Sequence, residues 1–162
     1  MSMNELTEKQ WKYGGAALLL VVSSLIIFSR IMSIWVPMPV YLVILAWITS
    51  FLYMLFTPGM YLLFLKYFYN SNKLSAATIT LVIILSILNA WYFYGSWGYG
   101  EKYQGIEHTK IVAIENILGF SIALILSIWA HIKKIRQGTY SANLLLFLLL
   151  SWCAFPYLGE MP

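Results

Sequence analysis

The sequence has little charge and a single cysteine. Charged residues make up 10% of its 162 residues, whereas about a quarter is usual for a soluble globular domain. So few charges leave a water-facing surface nearly bare, and we therefore expect lipid to be most of the solvent around the protein. Because Cys153 stands alone in an apolar run, an intrachain disulfide, a CxxC pair and a thiolate metal site are excluded.

The common catalytic and metal-binding motifs are also missing. The sequence has no His-x-x-His, no His-Glu-x-x-His, no Gly-x-Ser-x-Gly and no phosphate-binding loop. Its two histidines, His108 and His131, lie at opposite ends of one apolar segment, so they are not expected to ligate one haem together. We predict no catalytic residue and no metal ligand, and a binding or assembly protein is favoured over an enzyme. The basic residues are scattered, which argues against a nucleic-acid partner.

Long apolar runs dominate what is present. Hydrophobic residues make up 61% of the chain, and a helix of about 20 apolar residues crosses the hydrocarbon core of a bilayer. The 7 tryptophans and 12 tyrosines are typical of membrane interfaces. The sequence predicts an all-α bundle in one integral membrane domain, 1–162, with a kink at Pro58-Gly59 in its second span. The five predicted spans are 13–35, 40–65, 74–97, 111–132 and 140–158.

The distribution of basic residues predicts the orientation. Seven of the ten lie on one side of the predicted spans, namely Lys9, Lys12, Lys66, Lys73, Lys133, Lys134 and Arg136. Positive residues collect on the cytoplasmic side, so we expect the N-terminus in the cytoplasm and the C-terminus outside, as in a bacterial inner membrane. Gly98–Lys110 is then an outer loop, either an ordered cap or a solvated connector.

Three polar residues are predicted at similar depth in the outer half of the membrane. They are Arg30, Asn89 and Glu115, and ionisable groups at such positions usually face the interior of the bundle. One hypothesis is an Arg30–Glu115 ion pair with Asn89 nearby, lining a polar pocket. The alternative is that Arg30 reaches the headgroups and that Glu115 lies at the interface near its helix N-terminus.

A stripe of small residues marks the fourth span. Gly119, Ala123 and Ser127 recur every fourth residue between Glu115 and His131. Small residues at this spacing let a second helix approach closely. We predict a helix-packing face there.

Three stretches resemble the tryptophan-rich sensory protein family, also called the translocator protein (TspO) family. WVPMP at 35–39, followed by Trp47, is similar to that family's W-x-P-P segment and second span. LNAWYFYG at 88–95 is similar to its third span, and ANLL at 142–145 to its fifth. The resemblance implies a pocket between helices that binds a porphyrin or a sterol-like lipid, with Trp35, Trp47, Asn89 and Trp91 as ligand-binding residues.

Three functions remain open from the sequence. The first is binding or transport of a porphyrin- or sterol-like ligand, with Arg30 and Glu115 as polar contacts and a porphyrin or lipid as the bound group. The second is an accessory subunit of a larger membrane complex, with a homo-oligomer or unlike membrane subunits as partners besides lipid. The third is a lipid-modifying membrane enzyme in which Glu115 and His108 form an acid–base pair.

Overall fold

The described part of the chain is entirely helical. The computed structural model describes residues 3–33, 39–103 and 105–159, apart from the side chains of 3–4, 30–33, 42, 99, 103 and 153–159. Within these residues there is no strand, and the prediction of an all-α protein is confirmed there. The helices are α1 (Met3–Ser33), α2 (Val40–Tyr67), α3 (Ser71–Tyr103), α4 (Ile106–Lys133) and α5 (Arg136–Gly159).

Four of these helices are long and apolar enough to cross a bilayer, as expected of an integral membrane protein. Their apolar stretches overlap the first four predicted spans, although the first begins at Glu5 and not at residue 13 and ends at Ser29. α2 continues through Pro58 without interruption. The mixed-charge N-terminus belongs to α1, where Lys12 and Glu8 form an ion pair of 2.8 Å one turn apart. The candidate spans are Glu5–Ser29, Val43–Tyr67, Ser71–Gly98 and Ile106–Lys133.

The prediction of a loop over Gly98–Lys110 is wrong. α3 continues to Tyr103 and α4 begins at Ile106, and Gly105 has a φ of 87° that favours glycine. The indole nitrogen of Trp97 donates to a carboxylate oxygen of Glu101 at 2.6 Å, one turn on. A Cβ added at Gly100 would lie 2.9 Å from the hydroxyl oxygen of Thr109 on α4. The glycine therefore permits a close helix approach and does not break α3.

The chain divides into two compact units, Met1–Tyr67 with Phe147–Pro162, and Phe68–Leu146. In the first unit α1 packs on α2. The buried face of α1 includes Leu19 and Ser23, and that of α2 includes Tyr61 and Leu65. Gly15 lies against the Tyr61 ring, because an added Cβ would be 2.7 Å from the phenol oxygen. The close α1–α2 approach depends on the missing side chain.

The C-terminal segment of the first unit contacts α2 through aromatic rings. Phe147 makes edge-on contacts with Tyr61, at 5.8 Å between ring centroids, and with Phe64, at 6.5 Å. The Tyr53 hydroxyl donates to the Leu150 carbonyl at 3.3 Å. These contacts hold residues 147–150 of α5 against α2.

In the second unit α3, α4 and the first part of α5 are joined by very short connections. Residues 104–105 separate α3 from α4, and residues 134–135 separate α4 from α5. Connections this short make consecutive helices antiparallel neighbours. Lys134 adopts the left-handed conformation (φ 55°, ψ 36°), and its amide donates to the His131 carbonyl at 3.3 Å. α4 therefore ends in a tight turn directly before α5.

A buried hydrogen bond links α3 to α5 inside this unit. Asn143 is fully buried, and its amide nitrogen donates to the Thr78 hydroxyl at 2.6 Å and to the Thr139 carbonyl at 2.9 Å. The Thr78 hydroxyl itself donates to the Leu74 carbonyl at 2.7 Å. The core of the unit is thus partly polar. Asn143 bonds through its amide nitrogen, while its side-chain oxygen has no hydrogen-bond partner among the described residues.

Candidate functional site

The buried face of α4 follows a repeat of three and four residues. Its first two buried positions are seven residues apart, and the later ones are alternately four and three residues apart. This spacing is the 3.5-residue repeat of closely packed antiparallel helices. Of the predicted helix-packing residues, Ala123 and Ser127 are buried on this face and Gly119 is half-buried. The buried residues are Thr109, Asn116, Phe120, Ala123, Ser127 and Ala130.

Asn89 forms a hydrogen bond with a residue that the sequence did not single out. Its amide nitrogen donates to the side-chain oxygen of Asn116 on α4 at 3.4 Å. The amide nitrogen of Asn116 donates to the Val112 carbonyl at 2.9 Å. Asn89 therefore takes part in α3–α4 packing, and a ligand would contact its remaining oxygen. Asn116 falls on the three-and-four repeat with Ala123, and that repeat is the signal by which the sequence reveals it.

The predicted partners of Asn89 lie elsewhere or outside the described residues. Glu115 is exposed on α4, one position before Asn116. The side chain of Arg30 lies outside the described residues, as does the whole of Trp35. The ion pair between Arg30 and Glu115 stays a prediction.

One face of α3 carries exposed aromatic rings beside glycines whose backbone is accessible. We call Trp91, Tyr94, Gly95 and Gly98 the aromatic face. Trp91 is 81% exposed and Tyr94 is 87% exposed, and a Cβ added at either glycine would meet nothing within 4 Å. These positions share one side of the helix because they are three, four or seven residues apart. Asn89 lies on the opposite side, against α4.

Phe93 and Trp97 form a second pair of aromatic rings near the same end of α3, and Phe93 lies one turn from Asn89, on the side away from the aromatic face. Their rings pack edge-on with centroids 5.6 Å apart, and the indole of Trp97 is tied to Glu101. Gly98 is the last residue of the apolar stretch Ser71–Gly98. The aromatic face therefore lies where the apolar part of α3 ends, which is the depth at which aromatic residues collect in membranes.

Trp47 lies on the surface of α2. It is 55% exposed, and the neighbouring Ile44, Ile48 and Phe51 on the same side are exposed as well. Of the 25 residues in the apolar stretch that contains it, Val43–Tyr67, only four are buried. A ligand at Trp47 would bind against the outside of a helix.

The two histidines are far apart on α4. His108 and His131 are separated by 23 positions, which is about 34 Å along a helix. His108 and Glu115 share a side of α4 but lie about 10 Å apart along its axis, beyond direct proton transfer. His131 approaches α3, with its Nδ1 2.7 Å from the hydroxyl oxygen of Ser75. In the described part of the chain, no three metal-ligating side chains come together.

Comparisons of this chain with protein families, with characterised proteins and with solved structures find no match. The resemblance to the tryptophan-rich sensory protein family stays a prediction. The four apolar helices, and not a relative, therefore define the class of this protein.

Proposed function

We propose that the chain crosses the membrane five times, with the N-terminus in the cytoplasm and the C-terminus outside. Four candidate spans support four of the crossings, and the leucine-rich run 144–150 within α5 supports the fifth. Basic residues at the α4–α5 turn and at the start of α3 support the orientation.

We expect alkaline phosphatase fused after residue 162 to be active in a bacterial host, and the same fusion after Ile135 to be inactive. The opposite pattern would reverse the orientation.

We further propose that the protein is a non-enzymatic membrane protein that binds a flat hydrophobic ligand, porphyrin- or sterol-like, on the aromatic face. The observation that carries this proposal is the exposure of Trp91 and Tyr94 next to Gly95 and Gly98. A planar ring stacks on an aromatic side chain, and glycine allows it to reach the helix backbone. Trp47 and Glu115 stay predicted ligand contacts.

The residues around the aromatic face suit an amphiphilic molecule. Toward the middle of the span the same side of α3 continues with Ile84, Ile87 and Leu88, all exposed. Toward the helix end, Lys102 follows Gly98 by one turn and is exposed. A rigid apolar body would lie along the aliphatic part, and an anionic or hydroxyl group would lie near Lys102.

Replacing Gly95 by leucine tests this proposal. A Cβ added here meets nothing within 4 Å, so the leucine side chain projects onto the aromatic face and we expect the fold to be kept. Saturable quenching of tryptophan fluorescence by protoporphyrin in lipid nanodiscs should weaken by about tenfold or more, equivalent to about 1.4 kcal/mol of binding free energy. All seven tryptophans remain as reporters.

Gly14→Leu is the matched control, because Gly14 is also an exposed helical glycine with nothing within 4 Å of an added Cβ. Its quenching curve should equal that of the unmodified protein. Equal affinities in the two variants, or quenching that does not saturate in lipid, would contradict binding at the aromatic face.

A second candidate is an accessory subunit that packs against unlike membrane proteins. The sparse burial of α2 favours it, since only four of the 25 residues in its apolar stretch are buried within the chain. Purification from native membranes in a gentle detergent, with mass spectrometry and an absorption spectrum, separates the two candidates. Unlike subunits in stoichiometric amounts would support the accessory role, whereas a lone chain with a Soret band or a bound sterol would support ligand binding.

A further inference from the structure

Glu115 is the one charged residue within the apolar part of the four candidate spans. An ionisable side chain inside a membrane span usually faces the interior of the protein and pairs with another group. Glu115 is instead exposed on α4, one position before the buried Asn116. No other aspartate, glutamate, lysine or arginine occurs in the corresponding stretches, 13–29, 43–65, 74–97 and 111–130.

The start of α4 is too far from Glu115 to stabilise its charge. α4 begins at Ile106, so that Glu115 lies nine positions along it, or about 14 Å from the first residue. The favourable effect of a helix N-terminus on a carboxylate falls off within the first turn. The dipole of α4 therefore contributes little at Glu115.

The side chains around Glu115 on α4 offer it no hydrogen bond. Among the described residues, its carboxylate forms neither an ion pair nor a hydrogen bond. On a helix surface the neighbours of a residue are three and four positions away. Those neighbours have no polar side-chain atom, and they are Ile111, Val112, Leu118 and Gly119.

Few basic residues lie near Glu115 in depth. Lys110 is five positions earlier, and its ammonium nitrogen lies 3.5 Å from a carboxylate oxygen of Glu107. Lys102 lies beyond the apolar stretch of α3. In the proposed topology seven other basic residues lie on the cytoplasmic side, and only Arg30 is predicted at the depth of Glu115. The described part of the chain thus supplies no counter-charge to Glu115 within the membrane.

Glu115 also belongs to a second packing repeat on α4, on the side roughly opposite to the buried one. Seven exposed residues follow one another at alternating distances of four and three, the spacing that keeps one side of a helix against a partner helix. A polar residue within such a repeat specifies the partner. We call these residues the outer seam, and they are Ile111, Glu115, Leu118, Ile122, Ile125, Trp129 and Ile132.

The charge of Glu115 determines the chemistry of the partner. A carboxylate in hydrocarbon is stabilised by a cationic side chain at the same depth, and a guanidinium can donate to both carboxylate oxygens. A second copy of the chain is disfavoured, because all copies insert in the same direction. A two-fold pair of α4 helices would therefore place one Glu115 against the other.

We propose that the outer seam binds a transmembrane helix of an unlike membrane protein, which carries an arginine in the outer part of its span. The arginine pairs with Glu115, and apolar side chains of the partner pack on Leu118, Ile122 and Ile125. This proposal rests on the proposed crossing of the membrane by α4 and not on ligand binding at the aromatic face. The two activities can therefore fail separately.

The experiment uses a model transmembrane peptide as the partner helix. The peptide has about 20 leucine and alanine residues with one arginine about five residues from one end, and a reference peptide has leucine in place of the arginine. The full-length chain is reconstituted with each dansyl-labelled peptide in dioleoylphosphatidylcholine vesicles, and energy transfer from its tryptophans measures binding. We expect the arginine peptide to bind about tenfold more tightly than the reference peptide.

Glu115→Gln should reduce this preference to about twofold or less, because it removes the charge and keeps the size of the side chain. Glu107→Gln is the matched control. It makes the same change on α4 outside the apolar part, at a side chain that is 83% exposed, so the preference should remain. An equal loss in the two variants would show general surface attraction and overturn the proposal. So would an unmodified chain that binds both peptides equally.

Two other partners of Glu115 would give different results in the same vesicles. If Arg30 of the same chain pairs with Glu115, the unmodified chain shows no preference and Arg30→Gln creates one. If the partner is a second copy, energy transfer between labelled copies occurs without peptide and is lost in Glu115→Gln. Either result overturns the binding of an unlike helix.

Discussion

Gly138→Val is expected to lower the free energy of unfolding by about 2–3 kcal/mol. At this position an added Cβ would lie 2.8 Å from the Ala130 Cβ and 3.6 Å from the Ala130 Cα. Neither atom belongs to the end of a flexible side chain, so α5 has to move away from α4. The measurement is unfolding in mixed SDS micelles, followed by tryptophan fluorescence.

Gly14→Val provides the comparison, because it makes the same change at an exposed helical position with open space around it. Valine has a slightly better helix propensity than glycine, so the control should be unchanged or slightly stabilised. If both variants unfold at the same SDS fraction, the close α4–α5 approach at Gly138 is not a determinant of stability.

The helices were predictable from the sequence because long apolar runs leave few alternatives. The ends of the helices were harder to predict from the sequence. Gly98, Gly100 and Gly105 lie in a polar stretch that is typical of a loop, yet only Gly105 adopts a conformation that favours glycine. Gly100 is needed for the approach of Thr109. A glycine that ends a helix and one that lets a partner helix approach look alike in a single sequence.

The contacts between helices were harder to predict than the helices themselves. The sequence predicted a packing face with residues four apart, such as Glu115, Gly119 and Ala123. The buried residues of α4 are instead alternately four and three apart, and they include Asn116. One position therefore separates the exposed Glu115 from the residue that bonds to Asn89. Side-chain chemistry alone favours the charged residue, and only the packing repeat favours its neighbour.

The contact between Ser75 and His131 shows what the structure adds to a pattern of basic residues. Lys133, Lys134 and Arg136 indicated orientation in the sequence, where they were one of several basic groups. The fold places Ser75 of α3 beside His131 of α4, next to Lys134 and Arg136. No pattern along the chain connects Ser75 to His131, since their contact depends on the register of α3 against α4.

Asn143→Asp is expected to be the most destabilising isosteric change, at about 3 kcal/mol. The side chain is fully buried, and its amide nitrogen donates to both Thr78 and Thr139. A carboxylate cannot donate, so an oxygen would face the Thr139 carbonyl oxygen and a charge would be buried. The loss should diminish at acidic pH, where a protonated carboxyl donates one of these bonds, and SDS unfolding at two pH values measures it.

Two further variants determine what such a loss means. Asn143→Leu removes the polar group and leaves Thr78 bonded to the Leu74 carbonyl, so we expect a change within about 1 kcal/mol. Asn70→Asp makes the same amide-to-acid change at an exposed position before α3, where a negative charge near a helix N-terminus is neutral or favourable. Among the described residues the side-chain oxygen of Asn143 has no hydrogen-bond partner. If Asn143→Asp is nevertheless tolerated while Asn143→Leu is not, that oxygen is in contact with water, and the core of this unit is a hydrated polar cavity.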